Sequence, residues 1–475
     1  MFRSFKTAVW VMVLLAAAGR ALAFTIWGPA ESWQTPAMDY LTRPVYGTSE
    51  LGGPKEFGEG SRLNVPIITY ACDFTFLSYF GTDGAKAIDA AFNVLNAVPP
   101  ASTISLSKYN TDGIEQVNYS AQAMGLVDLK STMLAAMLEH MGLLGETHVF
   151  DLRNRVSTPA TCVFQYYVIN RNYDPVTFNP SYYVNGRLYS YYILELCPAV
   201  QTGDAVETLV DATAVPSTYT AVATKEAILN GGIYYTTLSR DDVGGLRYLY
   251  RRDNFNNEEL DPSAVPGTVG GSGFTIVNTS ATNAATSTNL AGIFGGVEKI
   301  MFVKTPFASL IGTNFTPVTY HYNMPVIVNG RLENLPITRT VTTPDIVISA
   351  ADLAAPAGPL YARNVAFLSN GVASLGGGIS AQVIAPQMNI VFNKVGPFFL
   401  NTQPFYLDQG TAELYPLFTW GSYDGTSKAP VVYPVGSSVV ALEQEVMSGS
   451  AAVSLGTWNP LSLTNTITNT TGAVP

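Results

Sequence analysis

The chain has 475 residues, of which 47% are hydrophobic, 11% aromatic and 13% charged. That much apolar material supports a large core and two domains, and it excludes a disordered, solvated chain. A formal charge of -10, with the Lys and Arg residues scattered, offers no basic footprint for phosphates and excludes nucleic acid as a partner.

Residues 1–23 read as an export signal. Arg3 and Lys6 form a basic start, residues 8–18 a short apolar run, and Ala21-Leu22-Ala23 a small-residue cleavage site, so that Phe24 begins the mature protein. No later stretch is apolar enough to span a bilayer. The expected setting is secreted or at a cell surface, the periplasm included, with protein or carbohydrate at the cell exterior as partner.

Residues 65–71, Val-Pro-Ile-Ile-Thr-Tyr-Ala, read as a strand, and residues 82–96 as a helix whose apolar face is Ile88, Ala91, Phe92 and Leu95. A second helix is expected over 128–144. Leu134, Met137, Leu138, Met141 and Leu144 recur there at three- and four-residue spacings, and Gly142 and Gly145 mark its end. On this segment alone the pattern is that of an ordinary core helix.

The stretch from Leu138 to His148 also runs in the register of the zinc motif His-Glu-x-x-His-x-x-Gly-x-x-His, keeping Glu139, Gly145 and His148. In that motif positions i and i+4 share one helix face, so two histidines grip one zinc while the glutamate takes a proton from the bound water. Leu138 and Gly142 stand at those two positions and ligate nothing. His140 cannot replace them, because two residues along a helix is about 200° around it.

Residues 149–237 are rich in tyrosine. Strand candidates at 164–170 and 182–196 lie between Cys162 and Cys197, the expected disulfide in a chain with three cysteines, which leaves Cys72 as a small buried hydrophobe. Val184-Asn185-Gly186-Arg187-Leu188 predicts a type I′ hairpin, and the same five residues recur at 328–332, read as an independent hairpin of the same geometry. Tyr166, Tyr167, Tyr182, Tyr183, Tyr189, Tyr191 and Tyr192 are candidates for a face that stacks on sugars or docks a protein. Strand alternation sends Tyr191 and Tyr192 to opposite sides, so part of this tyrosine is expected in the core. A last helix over 238–250 has Ser239 as its cap, Asp242 as the capping-box acid, and Val243, Leu246 and Leu249 as its buried stripe.

In this order, the strand, first helix, motif and Leu-Ser-x-Asp-Asp closing helix resemble a matrixin-type metzincin metallopeptidase over about residues 60–253. The resemblance implies Glu139 as general base and His148 as zinc ligand. It departs from the family at Leu138 and Gly142, and again where no methionine occurs between Met141 and Met301 to form the family's methionine turn. The expectation is a metzincin-like scaffold without a standard zinc site and without a cofactor, a pseudoenzyme used for binding or architecture. The alternative is a metallopeptidase with a rearranged site, in which His148 and a carboxylate such as Glu146 hold zinc and Glu139 activates water.

Residues 254–292, with Pro262, Pro266, Gly267, Gly270, Gly271 and Gly273, read as a linker. Beyond it, 299–303, 318–328, 337–348 and 383–395 have strand composition, and 462–475 is a polar tail. The expected fold class is therefore an α+β metzincin-like domain (24–253) carrying a Tyr-rich β insertion (149–237), then an all-β, sandwich-like domain (293–461). Other chemistries lack their residues. With three histidines, His140, His148 and His321, no Ser-His-Asp arrangement is indicated, and glycine signatures for phosphates or dinucleotides are missing. His321 sits in a strand pattern and is expected to be satisfied locally. Asp241-Asp242 reads as helix capping, and Glu258-Glu259 as a solvated linker.

Overall fold

The computed structural model describes residues 24–26, 62–144, 150–158, 163–195, 203–213, 231–267, 277–278, 290–351, 361–368, 383–393, 399–400, 415–416 and 419–434, a few single positions excepted. The expected signal peptide, Cys162, Cys197 and the polar tail lie outside them. The elements that position the candidate site are, in chain order, β1 (Arg62–Leu63), β2 (Ile67–Cys72), α1 (Phe74–Asn96), β3 (Leu126–Asp128), α2 (Leu129–His140), α3 (Arg240–Tyr250), β4 (Met301–Lys304), β5 (Val318–Val328), β6 (Arg331–Val341), β7 (Ile346–Ala351), β8 (Tyr361–Leu368), β9 (Val383–Asn393) and β10 (Thr419–Ser422).

The architecture is mixed α/β, with strands in the majority among the described residues. Its main sheet runs β4-β2-β7-β9, with β1 also pairing parallel to β9 and β8 antiparallel to it. β2 lies in the middle, parallel to both β4 and β7. Its sequence Ile-Ile-Thr-Tyr-Ala-Cys is almost continuously apolar, as a strand covered on both faces requires.

α1 covers one of those faces. Tyr70 of β2 stacks on Phe92 at 3.8 Å between ring centroids, and Phe302 of β4 approaches the same ring at 5.0 Å. The helix starts before the predicted residue 82, because Asp73 caps an additional segment by accepting from the Phe76 N–H at 3.0 Å. The two parts join at Gly81, whose φ of 60° and ψ of -160° no helical residue adopts. Ile88, Ala91, Phe92 and Leu95 are all buried, as the spacing predicted.

Strands on either side of residues 254–292 share this sheet, since β2 is flanked by β4 and β7. β3 likewise pairs with β10, nearly 300 residues further along the chain, through Val127 opposite Trp420. A single buried cluster accordingly runs from Phe24 to Tyr433. The other late strands form a second sheet: Asn256–Glu259, Leu290–Phe294, β5, β6 and Ala264–Pro266, with Leu260, Phe294, Met324, Val326, Leu335 and Ile337 as its core. Strand composition predicted strands over 293–461 but carried no information about partners, which side chains distant in sequence select.

Both Asn-Gly turns close two-residue hairpins. Val184 pairs with Arg187 and Val328 with Arg331, and Gly186 and Gly330 have φ of 81° and 74°, the values a type I′ turn needs. Tyr191 and Tyr192 are 40% and 52% exposed, so neither member of this pair enters the core, while the side chains of Tyr166 and Tyr167 lie outside the described residues. Tyr191 and Tyr192 lie on a strand, Arg187–Glu195, that pairs with Gly203–Leu209 and Tyr183–Val184 in a three-stranded ribbon. Such a ribbon leaves side chains open on both faces.

Candidate functional site around the motif helix

Helix α2 begins at a buried cap. The Asp128 carboxylate accepts from the Ser131 N–H at 2.8 Å and from its hydroxyl at 2.6 Å, and that hydroxyl accepts from the Tyr235 N–H at 2.8 Å. Burial pushes the Asp128 carboxyl up to about 6, although the Ser131 hydrogen bonds oppose the shift. Its second oxygen, Oδ1, is buried without a hydrogen-bond partner.

The helix then passes through the core, between α1, the Ile233–Tyr235 strand and β10. Every side chain from Ser131 to Leu138 is buried, so no face is left for solvent and the expected amphipathic stripe gives way to burial all round. Leu138, at the first ligand position of the zinc motif, is fully buried in the main core, and so is His140.

The end of α2 decides the geometry of the second ligand position. The expected helix over 128–144 stops at His140. Met141 makes the last helical bond, to the Met137 carbonyl at 2.8 Å, and Gly142 turns out with φ of 111°. Leu143 and Leu144 then pair with Ile26 and Thr25. Positions 138 and 142 therefore do not stand one turn apart on a common face, which is the arrangement that makes paired ligands useful.

The closing helix holds this turn. Ser239 and Asp242 form the predicted capping box, at 3.0 and 2.8 Å, and Val243, Leu246 and Leu249 are buried. At its other end the buried Tyr250 hydroxyl donates to the Met141 carbonyl at 2.6 Å. Gly245 lies so close to Leu143 that a Cβ there would come within 2.5 Å of its side chain.

Of the residues implied in zinc chemistry, Glu146 and His148 lie outside the described residues, as does the side chain of Glu139. Among the described residues no group of three or more His, Cys, Asp or Glu is placed to hold a metal. Cys72 is a buried free thiol, pushed up by burial, which suits a small hydrophobe rather than a nucleophile. His321 lies on β5, where its Nδ1 meets the Thr338 hydroxyl at 3.0 Å across the hairpin.

Two charged hubs escaped the sequence reading. Glu258 and Glu259, expected to be solvated, are buried at 0% and 3% exposure. Arg62 donates to Glu258 at 2.7 Å and to the carbonyls of Leu249, Asn254 and Phe294 at 2.7, 2.9 and 3.0 Å. This joins the end of α3 to the second sheet. Burial pushes Glu258 up, with Arg62 opposing. On β6, Arg339 grips Asp345 at 2.5 and 3.2 Å, and Asp345 accepts from the Thr69 N–H and hydroxyl in the middle of β2, both at 2.9 Å. These charges are buried and face one another, so that each ion is paired where burial alone would penalise it.

Among the described residues no helix is long and apolar enough to cross a membrane. Compared with known protein families, with curated proteins and with solved structures, the chain matches none.

Proposed function

We propose that this chain is an exported protein whose metallopeptidase-like region is zinc-free and serves as a binding or structural module at the cell exterior. The observation that carries the reading is the pairing of a buried Leu138 with a Gly142 beyond the helix end. A zinc site of the motif's kind needs both positions on one exposed helix face. The buried hubs at Arg62 and Arg339 support an architectural use, because they fix elements rather than present reactive groups.

The test is the metal content of the secreted mature chain, purified without chelator, beside a His148→Ala variant. The expected result is no stoichiometric zinc in either. Zinc near one per chain that disappears in the variant would overturn the proposal in favour of the rearranged peptidase site of Glu139, Glu146 and His148, with Glu139→Ala as the next variant.

A further inference from the structure

Three of the basic residues that look scattered in the sequence lie along one helix and its C-cap. Arg247 and Arg251 lie seven and eleven residues beyond Arg240 along α3 and its C-cap, which places each within about 20° of Arg240 and about 40° from one another around the helix. All three are half-buried.

A short loop rides over the same face. Gly244 admits Pro175 so closely that a Cβ would lie 2.2 Å from the proline, and Arg247 donates to the Pro175 carbonyl at 2.8 Å. The loop then brings Phe178, at a φ of 59° unusual for a phenylalanine, beneath two of the cations. The guanidiniums of Arg251 and Arg247 stand 4.5 and 5.7 Å from the Phe178 ring centre, and that of Arg251 also 5.0 Å from Tyr248.

The donors of this group are largely unspent. Among the described residues the Arg240 side chain has no hydrogen-bond partner, its buried Nε included. Arg251 meets Asp253 at 3.2 Å, too poorly aligned at Nε for a hydrogen bond. Asp174, whose charge also reaches Arg247, is engaged by the N–H groups of Val176 and Thr177 and by the Thr177 hydroxyl. Arg247 is accordingly held below its ordinary value, by burial first and then by the like charges of Arg251 and Arg240.

We propose that Arg240, Arg247 and Arg251 form a binding site for an oxyanion, a carboxylate, sulfate or phosphate group, backed by the Phe178 ring. Guanidinium groups present paired N–H donors matched to such oxygens, and an anion among three cations relieves their mutual repulsion. The site takes its side chains from α3, its C-cap and the loop of Pro175 and Phe178, and none from the zinc-motif stretch.

The experiment follows thermal unfolding of the full mature chain in sodium sulfate, sodium phosphate or sodium acetate, each against sodium chloride at matched ionic strength. Wild type should show a saturable rise in its midpoint with at least one of the three anions. Arg240→Gln should need roughly tenfold more of that anion, the loss expected for one charge-assisted contact. Arg331→Gln, at the exposed tip of the β5–β6 hairpin, should behave as wild type. Because the Arg240 side chain bonds nothing among the described residues, its variant should unfold in chloride as wild type does; should it not fold, Arg251→Gln carries the same comparison. A rise that never saturates, or that is equal in wild type and in the α3 variants, would be general salt exclusion from the surface and would overturn the proposal.

Discussion

The hydroxyl of Tyr250 donates to the carbonyl of Met141 at 2.6 Å, and both groups are buried. This contact ties the last residue of the closing helix to the turn that ends α2, satisfying a carbonyl with no helical partner of its own. Tyr250→Phe keeps the ring and orphans that carbonyl. We expect a loss of about 1–3 kcal/mol in denaturant unfolding, the cost of an unsatisfied buried acceptor. Unchanged stability would mean that water or another donor replaces the hydroxyl.

Restoring the zinc motif by substitution should fail. Leu138→His buries an imidazole in the apolar core, and Gly142→His forces a side chain onto a residue at φ of 111°. The double variant is expected to be less stable than wild type by several kcal/mol and to bind no zinc in equilibrium dialysis. Tight zinc binding by a folded double variant would show that the end of α2 can be rewound into a ligand-bearing helix.

Asp128 gives the protein a pH dependence with a definite sign. Its folded pKa of about 6 stands above the ordinary aspartate value of 3.8, so the folded state holds this proton more firmly than the unfolded chain does. The contribution is fully present below the unfolded value and is lost as pH rises through the folded one, amounting to roughly 3 kcal/mol. Asp128→Asn keeps an acceptor for Ser131 and removes the titration. Unfolding free energies measured between pH 4 and pH 7 should therefore fall less steeply in the variant; parallel profiles would contradict the assignment.

Asn96 closes the open edge of the main sheet. Its carboxamide donates to the Phe302 carbonyl at 2.9 Å and accepts from the Phe302 N–H at 2.8 Å, taking the place of a neighbouring strand beside β4. Met301 and Val303, on the same strand, are 39% and 37% exposed. Asn96→Ala should expose a pairing edge with apolar side chains, the condition for edge-to-edge association. Light scattering is expected to show concentration-dependent association in the variant beyond that of wild type, and equal masses would show that the edge is protected in some other way.

The parts of this fold that could be read from the sequence are those whose partners lie within a few residues. The capping box of Ser239 and Asp242, the Asn-Gly hairpins and the apolar stripe of α1 were all legible, because a turn or a cap satisfies its own backbone and leaves its residue types in a short window. The shortened α2 was not legible. Apolar periodicity continues through Leu144, but pairing of Leu143 and Leu144 with Ile26 and Thr25 outweighs another helical turn.

By itself, then, the sequence determined local elements, an apolar interior and the absence of two ligand side chains from the zinc register. The tertiary structure alone decided which strands are neighbours, that Arg62 meets Glu258 196 residues away, that Glu258 and Glu259 are buried, and that Arg247 and Arg251 share the Phe178 ring. The physical reason is range: turns and caps are settled by backbone geometry over a few residues, whereas the partner of a strand or a buried charge is chosen by packing among segments whose separation along the chain leaves no local pattern.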